Sequence, residues 1–386
     1  MTVWNRLVGQ ARAIELLDRA AKDAHTPDSK SNSMTHAWLF TGPPGAGRST
    51  AAILFAAAIL CDNFGCGTCS TCKQVLNDQH PDVNRFIPQQ ITITRDEAEN
   101  LIRESSVMPL TGDYRIIVIE DADRLNDVSG NMLLKSIEEP HSRAIWILCT
   151  PSVDDVLPTI RSRCRTLALA TPAWRDVADL LIKEGIEPAM AAYSARAAQG
   201  HVGRARGLAT DEATRRRRHE ILQIPSQLHD LRACFVAAEN IVSVATEEAN
   251  AESDRRDEAE KNEVLELFGA EAGSKSKGER AARPILRELE TRQKSRRTRA
   301  VRDRLDQSLI DLMSYFTDVM KLQLIGDEAE LVNEDLRGQL KEFAKASTAA
   351  KTRARMEAIE RARRQFASNA QPQMIIEALT IELARA

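Results

Sequence analysis

The segment His36-Ala37-Trp38-Leu39-Phe40-Thr41-Gly42-Pro43-Pro44-Gly45-Ala46-Gly47-Arg48-Ser49-Thr50 decides how this chain is read. His36 to Phe40 is nearly all apolar, the pattern of a strand buried on both faces of a parallel sheet. Gly42 to Ser49 follows as a phosphate loop, and Thr50 to Leu60 reads as the helix behind it. Glycines there let backbone N–H groups curl around a phosphate at a helix N-terminus. A plain Gly-Pro turn is the bland alternative, and the flanking strand and helix speak against it. One position departs from the motif. Lys is expected before Ser49, and Arg48 stands there. A guanidinium is larger, planar and differently directed than an ammonium. Phosphate binding can survive this change; efficient hydrolysis is not expected to.

Working outward, Ile116 to Ile119 and Ala144 to Cys149 repeat the apolar pattern, with Asp82 to Ile87 and Arg165 to Leu169 as weaker strand candidates. Helical stretches lie between them, one opened by the capping box Thr94-Arg95-Asp96-Glu97. Strand and helix in alternation predict an α/β domain with a parallel sheet. The run Ile116 to Ile119 ends in Glu120-Asp121, where a hydrolytic site wants Asp for magnesium and then Glu for water. The reversed order displaces each carboxylate by about one methylene, which catalysis tolerates poorly. Pro172 to Ala209 reads as three short helices stopped by Gly185 and Gly200. After Asp211 the chain reads as all-helical. Within it, Glu247 to Glu266 holds nine acidic and three basic residues, and Lys275 to Arg304 twelve basic and four acidic. Gly269, Gly273, Ser274, Ser276 and Gly278 suggest a break between them. Two readings stand: a solvated, partly disordered insertion, or a helical hairpin with acidic and basic arms side by side.

The 386 residues suffice for two or three domains, and 43% apolar with 28% charged residues is a globular composition. A net charge of -3 excludes a whole-chain polycation, so any nucleic-acid contact must be local. The longest apolar candidate, Ala51 to Cys61, is about half a membrane span. Met1 to Gln10 lacks the layout of a signal peptide. A cytoplasmic, membrane-free protein is expected. Of seven cysteines, Cys61, Cys66, Cys69 and Cys72 read C-x4-C-x2-C-x2-C. In a reducing compartment this clustering predicts a metal site, and four thiolates suit structural zinc with no open position for substrate. An iron–sulfur cluster and unligated thiols are the alternatives. Cys149, Cys164 and Cys234 read as buried structural thiols.

Together these features resemble the clamp-loader family of AAA+ ATPases, and within it the stator (delta-prime-like) members. Further matches are Leu7-Val8-Gly9-Gln10, His80-Pro81-Asp82, Asn131 to Pro140, Leu157 to Cys164 and Asn369 to Leu379. Glu247 to Arg304 carries no part of this resemblance. The resemblance implies an α/β phosphate-loop AAA+ domain over 1–170 with a zinc module at 61–72. A helical lid over 171–210 and an all-α collar over 211–386, carrying the charged insertion 247–304, complete the expected fold. It also implies that Arg163, in Ser162-Arg163-Cys164, is an arginine finger acting on a neighbouring subunit's ATP. Alone, that tripeptide reads equally as an ordinary surface arginine. Thr150 falls at the first sensor position, and Gly203 stands where active loaders carry the second sensor's Arg. Arg204 is about 100° further around the helix and is expected to point elsewhere.

The expected nucleotide-binding set, in degenerate form, is Gly42, Gly45, Gly47, Arg48, Ser49, Thr50, Glu120, Asp121 and Thr150. ATP or ADP, if bound there, is not expected to be turned over efficiently. Implied partners are motor-type and delta-type subunits in a five-subunit ring, with the sliding clamp and primed DNA reached through the complex. The chain is then a non-polymerising subunit of the DNA polymerase III holoenzyme. Two other readings are kept: an active motor-type ATPase, and a zinc-dependent DNA-binding module on an inactive ATPase fold. The basic runs Arg215 to Arg218 and Lys294 to Arg304 favour the second, and their lack of stacking aromatics weakens it.

Overall fold

The apolar runs form one parallel five-stranded sheet in the order β2-β3-β4-β1-β5. Its strands are β1 (Ala37–Thr41), β2 (Val83–Phe86), β3 (Arg115–Ile119), β4 (Ala144–Thr150) and β5 (Arg165–Ala168). A computed structural model describes residues 2–26, 33–90, 92–141, 143–268, 277–366 and 370–385. Gly269, Gly273, Ser274, Lys275 and Ser276 of the expected break and basic arm, and Asn369, lie outside the described residues. The chain divides into two compact units, Met1–Thr210 and Asp211–Ala386.

In the first unit, β1, β3 and β4 are buried along their whole length. Successive side chains of a strand point to opposite faces, so each strand feeds two cores. Trp38, Phe40, Ile116, Val118, Ile145 and Ile147 pack on one face, against α1 (Ala11–Ala24) and α2 (Arg48–Leu60). Leu39, Ile117, Ile119, Trp146 and Leu148 pack on the other. The cluster α3 (Ser70–Leu76), α4 (Arg95–Ser105), α5 (Asp127–Glu138) and α6 (Pro158–Arg161) completes the connections. The expected capping box opens α4: Thr94 Oγ1 accepts from the Glu97 amide at 3.3 Å, and Glu97 Oε2 accepts from the Thr94 amide at 2.7 Å. The helix after the phosphate loop begins at Arg48, two residues before the expected start, with Gly47 as its left-handed N-cap. Three helices end the unit around a small core of their own: α7 (Trp174–Lys183), α8 (Pro188–Ala197) and α9 (Val202–Thr210).

His80-Pro81-Asp82 proves to be an anchor. Asp82 is fully buried, and its carboxylate accepts from the amides of Leu110 (2.6 Å), Thr111 (2.8 Å) and Gly112 (2.8 Å) and from the Thr111 hydroxyl (2.8 Å). Burial pushes this carboxyl up, but those hydrogen bonds together outweigh it and hold it below the usual carboxylate range.

The second unit is helical: α10 (Glu212–Gln227), α11 (Leu231–Leu267), α12 (Lys277–Leu324), α13 (Arg337–Ala346), α14 (Ala349–Phe366) and α15 (Pro372–Arg385). Its core gathers Leu305, Leu309, Leu312, Tyr315 and Phe316 of α12 with residues of its neighbours. The charged segment forms paired helical arms rather than a solvated insertion. Arg297 reaches Asp254 and Asp257 at 2.7 Å, and Arg296 reaches Glu260 at 2.8 Å and also meets the buried Asp257. The basic runs are likewise engaged. Arg218 is buried, with Nε donating to Asp311 at 2.9 Å, and Arg217 pairs with Glu248. A solvated basic face is not what these arginines make.

Candidate functional site

The parallel register sets Thr41 of β1 beside Thr150 of β4 and Ala168 of β5. The phosphate loop leaves from this carboxyl edge, where loops of such sheets meet ligands. It opens on a cleft of about 800 Å³ lined by Gly45, Gly47, Arg48, Ser49 and Thr50. Gly45 has φ +89°, and a Cβ there would lie 2.7 Å from the Cβ of His201, just before α9. The loop and the start of α9 therefore meet through a glycine.

Arg48 folds back on its own loop: its Nη1 donates to the carbonyl of Gly42. The acidic strand end is also occupied. Glu120 Oε1 accepts from Nε of Arg85 on β2 at 2.6 Å, and the same guanidinium reaches Asp78 at 2.6 Å. Asp121 takes a left-handed conformation, φ +50°, with its carboxylate 3.5 Å from Arg124. Thr150 is buried and its hydroxyl donates to the Ser152 carbonyl at 3.0 Å. None of Glu120, Asp121 and Thr150 lines the cleft.

His201, just before α9, and Gly203 and Arg206 of α9 line the cleft, and Arg204 does not. Arg206 is clasped by Glu184 through bonds of 2.9 and 2.6 Å, which raises the guanidinium pKa and lowers that of the carboxyl. Surrounding protein and the Arg204 charge push the His201 imidazole down. The sequence reading missed Arg85, His201 and Arg206. For Arg206 the signal was present, since it lies three residues beyond Gly203 and so near the same helix face.

Arg163 follows α6 and is partly exposed. Its Nε lies 3.1 Å from Glu138 Oε2, its Nη2 donates to Glu138 Oε1 at 3.3 Å, and its Nη1 donates to the Thr159 carbonyl at 3.0 Å. Arg161 turns to Asp154 instead, at 2.7 Å. Between them and the sheet, Cys164 packs inward, and burial pushes its thiol up to about 12.

The four clustered cysteines converge after α2 and through the start of α3, with all four sulfurs within 4.8 Å of one another. Cys61 Sγ lies 3.8 Å from Cys66 Sγ and 3.7 Å from Cys69 Sγ. A metal about 2.3 Å from each of four tetrahedral sulfurs would set them about 3.8 Å apart. The donor set therefore fits a zinc-sized ion. Amides of Cys69 and Cys72 donate to the sulfurs of Cys66 (3.4 Å) and Cys69 (3.3 Å). Hydrogen bonds from Thr68 and Cys69 lower the Cys66 thiol to about 6, while burial pushes Cys72 up.

The family model described as DNA polymerase III, delta subunit matches residues 17–173. DNA polymerase III subunit delta' of Bacillus subtilis is 29% identical over 218 residues, 56% of this chain and 66% of that protein. Subunit delta' of Pseudomonas aeruginosa is 32% identical over 143 residues, 36% of this chain and 44% of that protein. Subunit tau/gamma of Haemophilus influenzae is 30% identical over 218 residues, 54% of this chain and 30% of that protein. The chain thus matches less than two thirds of the length of each. Among solved structures, a DNA polymerase III gamma subunit-related protein of Thermotoga maritima aligns with a TM-score of 0.39 at 13% identity, covering 96% of this chain and 99% of that one. Among the described residues, no helix is long and apolar enough to cross a membrane. Over residues 17–173 the chain is thus similar to the DNA polymerase III delta subunit family, and the relatives named above are DNA polymerase III subunits.

Proposed function

We propose that the chain is a cytoplasmic, delta-prime-like stator of a clamp loader, which lends an arginine finger to a neighbouring subunit and turns over little ATP itself. One observation carries the reading. Arg163 stands at the surface as an oriented fork, while Glu120, the first residue of the acidic end of β3, is tied to Arg85 away from the cleft. Arg48 engages its own loop, and Gly203 offers no cation, which adds to the case against self-catalysis. Relatives named delta' support the stator role. In this reading residues 171–210 act as the lid and 211–386 as the collar of a five-subunit ring that handles the sliding clamp on primed DNA. The four cysteines hold structural zinc, and ATP or ADP can occupy the cleft without efficient hydrolysis. The motor-type alternative needs a free Walker-type Lys, an Asp-Glu pair and a sensor Arg, and the DNA-binding alternative needs basic runs that are not already paired.

The test is Arg163→Ala in the reassembled loader. Its pair with Glu138 is exposed, so the subunit's own stability is expected to move by no more than about 1 kcal/mol. DNA- and clamp-stimulated hydrolysis at the adjacent site is expected to fall by roughly 10³-fold, less in bulk assays that average over other sites. Wild-type hydrolysis and loading by the variant, or turnover of about 1 s⁻¹ by the pure wild-type chain, would overturn the assignment.

A further inference from the structure

The cleft is not walled by the phosphate loop and α9 alone. Gly67 and Thr68, from the loop between Cys66 and Cys69, line it too. Thr68 is held from behind by a cysteine sulfur. The Thr68 hydroxyl donates to Cys66 Sγ at 3.6 Å, and the Cys69 amide next to it donates to the same sulfur at 3.4 Å. This stretch of wall therefore follows the positions of the sulfurs.

A second connection runs through the residues that precede α1. The Val3 amide donates to the Gly65 carbonyl at 2.8 Å. Gly65, at φ +84°, accepts Val3 so closely that a Cβ there would lie 2.6 Å from Val3 Cγ2. Four residues on, Leu7 Cδ1 packs 3.2 Å from where a Cβ of Gly47 would be. Gln10 then donates to the Ala46 carbonyl at 3.2 Å. Val3 and Leu7 both line the cleft. One strap thus touches the cysteine loop at one end and the phosphate loop at the other.

We infer that Gly67 and Thr68 are part of the nucleotide-binding surface, and that the affinity of the cleft for a nucleoside triphosphate depends on metal held by the four cysteines. The inference rests on the reading of the cleft as a nucleotide site. The physical ground is that a closed tetrahedral site fixes its sulfurs, and donors to those sulfurs are fixed with them. Without the metal, four thiols have no common centre to hold the wall or the Gly65 end of the strap.

The experiment titrates the full chain with a fluorescent ATP analogue. Four samples are compared: zinc-loaded wild type, chelator-stripped wild type, zinc-loaded Gly65→Ala and zinc-loaded Thr68→Val. Zinc content and tryptophan fluorescence are recorded in parallel. Gly65→Ala displaces Val3 without touching a ligand, and Thr68→Val removes only the hydroxyl that holds the wall. Stripped protein and Gly65→Ala are expected to bind about five-fold more weakly or worse, Thr68→Val two- to three-fold more weakly, on the scale of about one lost hydrogen bond. Returning zinc to the stripped wild type is expected to restore its affinity. Binding that stays within two-fold in all four samples overturns the inference and leaves the nucleotide reading standing. No binding by zinc-loaded wild type overturns both.

Discussion

Removing the carboxylate of Asp82 tests whether the anchor beneath Leu110 to Gly112 holds the first unit together. Its four short hydrogen bonds, of 2.6 to 2.8 Å, all end on one fully buried side chain. A hydrogen bond to a charged group contributes about 1.5–3 kcal/mol. Four such bonds on one acceptor are not additive, and the freed amides of an exposed loop recover water. We therefore expect Asp82→Ala to cost about 3–5 kcal/mol. Asp82→Asn keeps the shape and one acceptor, but turns an NH2 toward backbone donors, and is expected to cost about 2–4 kcal/mol. The assay is urea unfolding followed by tryptophan fluorescence. Trp4, Trp38, Trp146 and Trp174 all lie in the first unit, so this signal reports it alone. Because the folded carboxyl lies below its unfolded value, its contribution is complete above about pH 4 and is lost as pH falls through the folded pKa. The gap between wild type and Asp82→Asn is accordingly expected to be widest near neutral pH and to close in acid. A cost under about 1 kcal/mol, or a gap unchanged between about pH 7 and pH 3, would refute the argument.

Other outcomes follow from the remaining elements. Cys69→Ser is expected to lower zinc content and to expose the Cys61–Cys72 loop to proteolysis, since metal binding at such sites is folding energy; wild-type protein purified without chelators and free of zinc by elemental analysis would contradict it. Asp257→Ala removes the buried centre of the α11–α12 pairing and is expected to cost about 2–3 kcal/mol locally, discounted because Arg297 meets water, read as faster amide exchange across residues 254–297. The same pairing responds to acid. The Arg296 hydrogen bond lowers the Glu260 carboxyl to about 2, so its support is present above about pH 4.3 and is lost toward pH 2, visible as a fall in helical circular dichroism.

Much of the sheet, and the strand, glycine loop and helix from β1 to α2, was legible because both depend on local pattern. An apolar run, a glycine loop and a helix occupy one continuous stretch, and the four converging cysteines lie within twelve residues. Helices α7 to α9 were legible from their stops at Gly185 and Gly200. What the sequence hid were the long-range partners of charged groups. Nothing near Glu120 announces Arg85, thirty-five residues earlier, and nothing near Arg163 announces Glu138. Basic runs misled for a geometric reason. Consecutive residues of a helix point in directions about 100° apart, so Arg217 and Arg218 face different neighbours and neither belongs to a common basic face. His80-Pro81-Asp82 was legible only as a family mark, since the amides it anchors are contributed about thirty residues later.

Gln10 ties together parts of the chain that a ribosome delivers far apart in time. Its side chain bonds Ala46, and it also exchanges hydrogen bonds with the backbone of Ala170, 160 residues downstream. At about 5–20 residues per second, that second partner arrives some 8–30 s after the first end has been made. β1 waits almost as long, because both its sheet neighbours, β4 and β5, are translated after residue 143. The four thiolates need only Cys72 to be complete. On the proposed reading of the four cysteines as a metal site, metal would be captured on a nascent chain whose cleft does not yet exist, and the cleft would take shape last, around a loop already folded.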